Sequence, residues 1–388
     1  MLSRLRSILA DFVQQADLVL LGLCCASTLY GIVLIYSATR YVNSTRHVPV
    51  QLVAMLLGVV VYIAVSMVDL EILMKKWKWI LLFNVGFILM LLSPFSKSVY
   101  GNRAWLKFPF LPVSIGPAEV VKITFVLLLA KQLEWLQVEK RDLRSMMSAV
   151  QVAGHAFAIG GLYYVVSSDM GNVLVFLFIF ICMAFAAGFP GKWFALLFSA
   201  GGAAVAVTWM LDVMPQHMRD RFIVLFDHSY QPQEAGWQQT RSLLTIGSGG
   251  VFGQGYMNGT QTQSSYSASL PARHTDFIFS VAAEELGMFG CIAIMVLILL
   301  IIIRVLLVAK NAQSPFHCYV CVGMASMLIF QSIVNIGMCL FVMPVIGITL
   351  PFFSYGGSSV VTLFAAMGVV SGIKKRTPYM RRPGHPLR

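Results

Sequence analysis

The sequence predicts an all-α polytopic membrane protein of ten transmembrane helices, with a long extracytoplasmic loop between helices 7 and 8. Three observations predict it. Of 388 residues, 58% are hydrophobic and 11% charged, with a mean hydropathy of +0.79, against about 25% charged residues in a soluble domain. Apolar runs near the roughly 20 residues needed to cross a bilayer recur along the whole chain. Lysine and arginine concentrate in alternate connections between those runs.

The runs lie near 18–37, 50–68, 78–95, 117–133, 148–167, 172–189, 192–212, 287–309, 316–343 and 357–373. The first follows a short head with Arg4 and Arg6 and has no small-residue cleavage site, so it reads as a retained anchor. All seven cysteines (24, 25, 182, 291, 318, 321 and 339) fall within the runs. That placement makes them small apolar packers rather than disulfide partners or metal ligands.

With the N-terminus inside, eighteen of the 28 basic residues lie on the inner side and nine on the outer side, with Lys122 inside a span. The inner set includes Lys75, Lys76, Lys78, Lys140, Arg144, Lys192 and a tail, 374–388, that carries six. The positive-inside rule therefore places both termini in the cytoplasm. The net charge of +12 is an orientation and lipid-surface signal and makes no case for nucleic acid.

The chain reads as one integral membrane domain, 1–388, with a core over 18–373. Its long interruption is the outer segment 213–286; a second outer stretch covers 94–116. Long loops on a rigid helical body are where chemistry is placed. In TIGSGGVFGQG, glycines that include Gly249 and Gly250 either turn backbone amides toward an anion or simply connect. No Lys-Ser or Lys-Thr pair follows, which argues against a nucleotide loop. In GNRAWLKF, Trp105 between Arg103 and Lys107 either stacks on a sugar or anchors at the headgroups. Glu119 and Lys122 share a helix face at i, i+3 inside a span, as an ion pair or a binding pair. Asp169 in SSDMGN reads as a turn residue. Asp276, in LPARHTDFIFSVAAEE, stands beside Arg273 and His274 at a membrane boundary, ahead of Glu284 and Glu285. A charge there usually has a partner or a function.

LIYSAT, GNRAW, GPAEVVKI, SSDMGNVLVF, TIGSGGVFGQG, HTDFIFSVAAEELG and NIGMCLFVMPVIGITLPFFSYGGSS occur in the order expected of the SEDS family, and the chain resembles that family over about 18–373. The short head and tail resemble its RodA branch more than its FtsW branch. The resemblance implies a peptidoglycan glycosyltransferase that polymerises lipid II at the outer face of the bacterial cytoplasmic membrane and supports cell elongation. It also implies a class B penicillin-binding protein as partner, alongside membrane lipids. Division or sporulation paralogues and a lipid II flippase are the alternatives. Some motifs depart from the family pattern: Ala104 precedes the Trp, Ala118 stands in PAE, SSDMG lacks the proline, and Trp237, Arg241 and Gln254 are substituted.

Joining lipid-linked disaccharides needs a base for the attacking hydroxyl and positive charge for the departing pyrophosphate. The resemblance makes Asp276 the base, with Arg273 and His274 expected to keep it ionised. Lys122, Arg103 and Arg221 are the pyrophosphate candidates. Glu119, Trp105, His274, Thr275, Gly249, Gly250, Glu285 and Ser354 complete the expected substrate contacts. A divalent cation, Mg or Mn, would be compatible, but no ligand spacing demands one.

Overall fold

The computed structural model describes residues 16–40, 46–99, 102–109, 114–140, 142–227, 236–265 and 269–380. The head with Arg4 and Arg6, and the tail beyond 380, lie outside the described residues. The chain forms α1 (Leu18–Thr39), α2 (His47–Ser66), α3 (Leu70–Met74) and α4 (Trp77–Leu89), then a hairpin of β1 (Ser96–Val99) and β2 (Asn102–Leu106). Next come α5 (Pro117–Glu134), α6 (Met146–Ser167), α7 (Met170–Ala186), α8 (Gly191–Met210), α9 (Gln216–Phe226) and α10 (Trp237–Gly249). The last three are α11 (Ile278–Asn311), α12 (Pro315–Cys339) and α13 (Gly357–Met380).

Seven helices among the described residues are long and apolar enough to cross a membrane: α1, α2, α6, α8, α11, α12 and α13. Trp77–Leu92 and Met170–Ala186 are shorter apolar helices. Helix α5 carries Glu119, Lys122, Lys131 and Glu134, which set it apart by composition. Each expected run thus coincides with a helix. The cysteines are free and buried or half-buried, as apolar packers are.

Helix α12 sits at the centre, packed against α5, α7 and α11. Its Gly323 faces Val126 and Met183, so a β-carbon there would come within 2.5 Å of Val126 Cγ1. Helices α2 and α13 form the most extensive pair. Gly368 and Gly372, one turn apart, let α13 approach the backbone of Tyr62 and Ser66; a β-carbon would lie 2.7 and 2.8 Å from their carbonyl oxygens. Small residues at that spacing allow close helix packing where lipid offers no hydrophobic drive. At the same end of the bundle Asp17, fully buried, accepts from Arg304 Nε (2.8 Å) and lies 3.1 Å from Lys374 Nζ, tying α1, α11 and α13.

Three expectations change. The stretch 94–116 is not simply a loop: its antiparallel hairpin pairs Lys97 with Trp105, and Leu106 bridges to Ile115. The segment 213–286 holds α9, α10 and the first turns of α11, so TIGSG lies in a helix rather than a glycine-rich loop. Helix α11 begins nine residues before the apolar run, at Ile278, because Glu284 and Glu285 find partners inside the protein. It breaks at Gly287 (φ 67, ψ −160), a left-handed conformation that glycine alone adopts without strain.

Candidate active site

The segment His274–Thr275–Asp276 is held by its backbone. Three successive carbonyls accept hydrogen bonds from α12 and the strap 341–356. Tyr355 N donates to His274 O at 2.8 Å, Ser354 Oγ to Thr275 O at 2.6 Å and Asn335 Nδ2 to Asp276 O at 2.9 Å. The strap is fixed in turn by α2, where Gln51 donates to Ser354 O (3.1 Å) and accepts from Gly356 N (3.1 Å). Rings of His47, His274 and Tyr355 pack edge-on or tilted with centroids 4.8–5.7 Å apart.

With the main chain held, the Asp276 side chain is partly buried and is contacted by the Thr275 hydroxyl. Burial pushes its carboxyl up to about 6, and the Thr275 hydrogen bond pulls weakly the other way. Loss of water, not a nearby cation, therefore sets its proton affinity. This corrects the expectation for Arg273 and His274. Arg273 is spent on main-chain carbonyls: Nε donates to Leu270 O (3.0 Å), Nη1 to Gln261 O (3.1 Å), Thr262 O and Ser264 O (3.0 Å), and Nη2 to Ser269 Oγ (2.8 Å). His274 is pushed down to about 4 by burial, with His47 and Arg273 adding to the shift, so it is neutral at neutral pH. It brings no charge to Asp276.

Glu284 is the counterpart of Arg273. Its Oε1 accepts from Gln261 N (2.8 Å), Thr260 Oγ1 (3.1 Å) and Ser248 Oγ (3.4 Å); its Oε2 accepts from Thr262 N (2.8 Å) and Thr262 Oγ1 (2.6 Å). An anion takes the N–H groups of 261–262 and a cation takes their carbonyls, so one short segment is clamped from both sides. The glycines belong to this knot. Gly249 lies against Ala283 O, and the amides of Gln254 and Gly255 go to the carbonyls of Glu284 (2.8 Å) and Glu285 (3.0 Å). Gly249 thus packs against α11, and Gly250, at φ 55, turns the chain after α10. Glu285 is likewise internal, accepting from Ser37 Oγ (2.7 Å) and Gln263 Nε2 (2.9 Å). The Ser354 hydroxyl is spent on Thr275 O and Leu350 N. Glu285 Oε1 and the Ser354 hydroxyl are thus engaged by the scaffold, while Glu285 Oε2 is buried with no partner among the described residues.

A second polar group lies across the strap. Lys122, fully buried, reaches Glu119 Oε1 (2.8 Å) and Asn172 Oδ1 (3.3 Å). Asn172 Nδ2 donates to Asp169 Oδ2 (2.8 Å), and Asp169 caps α7 by accepting from Asn172 N. Asp169 is thus the expected turn residue and also the end of a network that begins at Lys122. Gly171 brings the strap onto this turn: a β-carbon would lie 2.5 Å from Ile346 O. Trp105 packs over Gly116 and close to Glu119, while Arg103 points from the same strand into solvent. Arg221 lies exposed on α9, which rests on α8, a helix with no buried residue. Arg221 is the candidate the structure leaves apart.

Sequence reasoning missed Asn335, Gln51, Asn172, His47 and Tyr355. Asn335 had one visible signal: an amide in an apolar run is costly unless its hydrogen bonds are met. Among the described residues no three His, Cys, Asp or Glu side chains are grouped to hold a metal ion.

Comparison with known proteins agrees with this architecture. The chain is 31% identical over 376 residues to a probable peptidoglycan glycosyltransferase FtsW of Nitrosococcus halophilus, covering 94% of each. It is 28% identical over 358 residues to the peptidoglycan glycosyltransferase MrdB of Escherichia coli K12, covering 92% of this chain and 93% of that one. A chain of a peptidoglycan synthase complex that coordinates polymerization and crosslinking superimposes with a TM-score of 0.76 at 27% identity, covering 93% of this chain and 98% of that one. The rod shape determining protein RodA of Thermus thermophilus gives 0.68 at 27% identity, with 93% and 97% covered. The model of the FtsW/RodA/SpoVE family, described as "Cell cycle protein", matches residues 17–379, and the chain belongs to that family.

Proposed function

We propose that this chain is an inverting peptidoglycan glycosyltransferase that polymerises lipid II, with Asp276 as its general base. The observation that carries the reading is Asp276 itself: a partly buried carboxylate just ahead of α11, in a segment held at three successive carbonyls, its carboxyl raised to about 6. A base with that proton affinity is largely ionised at neutral pH and still accepts a proton readily. The acceptor hydroxyl loses its proton to Asp276 as its oxygen bonds to the anomeric carbon of the donor. The bond from that carbon to the lipid pyrophosphate breaks, and the pyrophosphate takes the electron pair. Inversion of an α-linked donor gives a β-linked glycan with no covalent intermediate. Lys122 would supply positive charge to the departing pyrophosphate, with Glu119 and Asn172 fixing its direction. Arg103 and Trp105 line the approach from the hairpin, and His274 and Thr275 border the base. A divalent cation would share the pyrophosphate charge; no step above depends on it.

The proposal includes ten spans, both termini in the cytoplasm, an outward-facing 213–275 and a role in cell elongation. A class B penicillin-binding protein as crosslinking partner completes it. The break of α11 at Gly287 favours a second reading, because transporters place substrate sites on interrupted helices. Here the adjoining Glu284 oxygens are filled by protein donors, which leaves the break without a free site on that carboxylate.

The test is to incubate the purified protein, with and without a class B penicillin-binding protein, with labelled lipid II and to resolve the glycan on a gel. A ladder from the parent and none from Asp276→Asn supports the reading; a ladder from both removes Asp276 as the base. Orientation is tested separately with cysteines placed at Ser265 and at Thr377 in a Cys-free variant: an impermeant thiol reagent labels position 265 from outside, and labelling of 377 but not 265 in intact cells reverses the topology.

A further inference from the structure

We infer that Asn335 is a positioning residue that sets the separation between Asp276 and the Lys122–Glu119 pair. The inference rests on the reading of Asp276 as the base and names what holds that base in register.

Asn335 lies on α12, the most enclosed helix, and is fully buried. Its Nδ2 carries two protons and both are used, one to Asp276 O at 2.9 Å and one to Ile348 O at 2.8 Å. A single amide therefore ties both the segment that carries the base and the strap to α12. The far side of that strap rests on the Asp169 turn, where a β-carbon on Gly171 would meet Ile346 O at 2.5 Å and Ile348 Cγ1 at 3.4 Å. From that turn the hydrogen bonds run through Asn172 to Lys122. The chain of contact from base to cation is continuous, and among the described residues Asn335 is the one side chain that donates to both the segment and the strap.

The other restraints on the segment do not do this. Ser354 and Tyr355 belong to the strap and hold His274 and Thr275 to it, so they fix the segment without reaching the core of the bundle. The Cys339 thiol also points at Asp276 O, at 3.7 Å, a weak contact. The orientation of the Asn335 amide is determined, because exchanging its oxygen and nitrogen would set an acceptor against two carbonyls. Its Oδ1 is buried and has no partner among the described residues. Such an arrangement is costly unless a buried donor pair is needed at that place.

The chemistry makes Asn335→Asp the informative variant. It conserves shape and replaces both donors with acceptors facing two carbonyls. The segment and strap are then released from α12, the base drifts from its place, and substrate binding through distant contacts is kept. Misplacing a reacting group by about 1 Å costs on the order of 10²-fold.

The experiment measures lipid II polymerisation against lipid II concentration for the full-length protein with its penicillin-binding partner. Asn335→Asp, Gly171→Ala and Asp276→Asn are compared with the parent, with thermal unfolding of each. We expect Asn335→Asp to lower kcat about 10²-fold with KM within about threefold. Gly171→Ala, which pushes the strap from its other face without touching the amide, should lower kcat about tenfold with the same unchanged KM. A parent-like kcat in Asn335→Asp overturns the inference, and with Asp276→Asn inactive it leaves the base reading standing. A KM that rises as kcat falls overturns it too, by making Asn335 a substrate contact. If Asn335→Asp does not fold, Gly171→Ala decides, and a parent-like kcat there overturns the inference. Activity in Asp276→Asn removes both the base and the need to position it.

Discussion

Asp276 and Glu284 stand eight residues apart, one just before α11 and one in its second turn, and the protein treats them in opposite ways. Glu284 is fully buried and accepts from five donors. Asp276 is only partly buried, its side chain is contacted by one neighbouring hydroxyl, and its restraints fall on its backbone. A carboxylate with filled lone pairs organises a loop but has nothing to offer a substrate. One that is held by its main chain keeps its lone pairs free, at a cost in stability that burial without donors imposes. The difference separates a structural acid from a reactive one without reference to either's position in the sequence.

The largest expected effect breaks the pair at Asp276. Asp276→Asn removes the proton acceptor and should lower polymerisation by roughly 10²–10⁴. Because burial raises this carboxyl above its unfolded value, the charged form destabilises the fold. That stability is present below pH 4, roughly the unfolded value, and is lost as pH rises through about 6. At neutral pH the neutral amide should therefore unfold at a temperature equal to or above the parent's. A variant that is inactive and less stable would mean that Asp276 is a second Glu284.

Lys122 is next. Reversing the Glu119–Lys122 pair would set a carboxylate toward Asn172 and Asp169, so the reversed pair fails for structural reasons alone. Lys122→Met is cleaner, because it keeps most of the volume and leaves Glu119, which is partly exposed, to solvent. If Lys122 stabilises the leaving pyrophosphate, polymerisation should fall about 10²-fold, the scale for losing one charge-stabilising donor. If the pair is only structural, activity should follow stability.

Glu284→Gln should do the reverse of Asp276→Asn. It turns an NH₂ toward donors of the 260–262 segment and weakens hydrogen bonds to a charged group, at about 2 kcal/mol. The melting temperature should drop by several degrees, while polymerisation below that temperature stays within about threefold of the parent. Loss of activity without loss of stability would bring Glu284 into the site.

How much of this was legible follows from the forces involved. The apolar runs are set by what lipid tolerates, so α8, which buries nothing, was as readable as α12, which is mostly enclosed. The start of α11 was not, because Glu284 and Glu285 make 278–286 look aqueous until their partners, 35 and more residues away for Ser248 and Ser37, are known. Asp276 was legible as an unexplained charge and through the family resemblance. Asn335, Gln51 and Asn172 were not, since an amide's role depends on which carbonyls the fold brings to it. Arg273 was misjudged for the same reason: adjacency in sequence put it beside Asp276, whereas its guanidinium points into the 261–264 backbone.

The smallest expected effect tests that last correction. Polymerisation should fall with decreasing pH along a limb centred near 6, since Asp276 must be ionised to act and its carboxyl titrates there. His274 is the nearest group that could be mistaken for the source of that limb. Its ring, however, is held down to about 4, so across the limb it stays neutral and exerts no charge on Asp276. His274→Gln should therefore leave the midpoint within about half a unit of the parent's, because a neutral ring and a neutral amide differ little in the field they produce. Asp276→Glu, if active, should keep a limb whose midpoint moves with the new carboxyl's burial. A shift of the limb by a full unit on loss of His274 would show that the imidazole is charged in the working enzyme. The proton affinity of Asp276 would then be set by a partner after all, and its contrast with Glu284 would be one of degree.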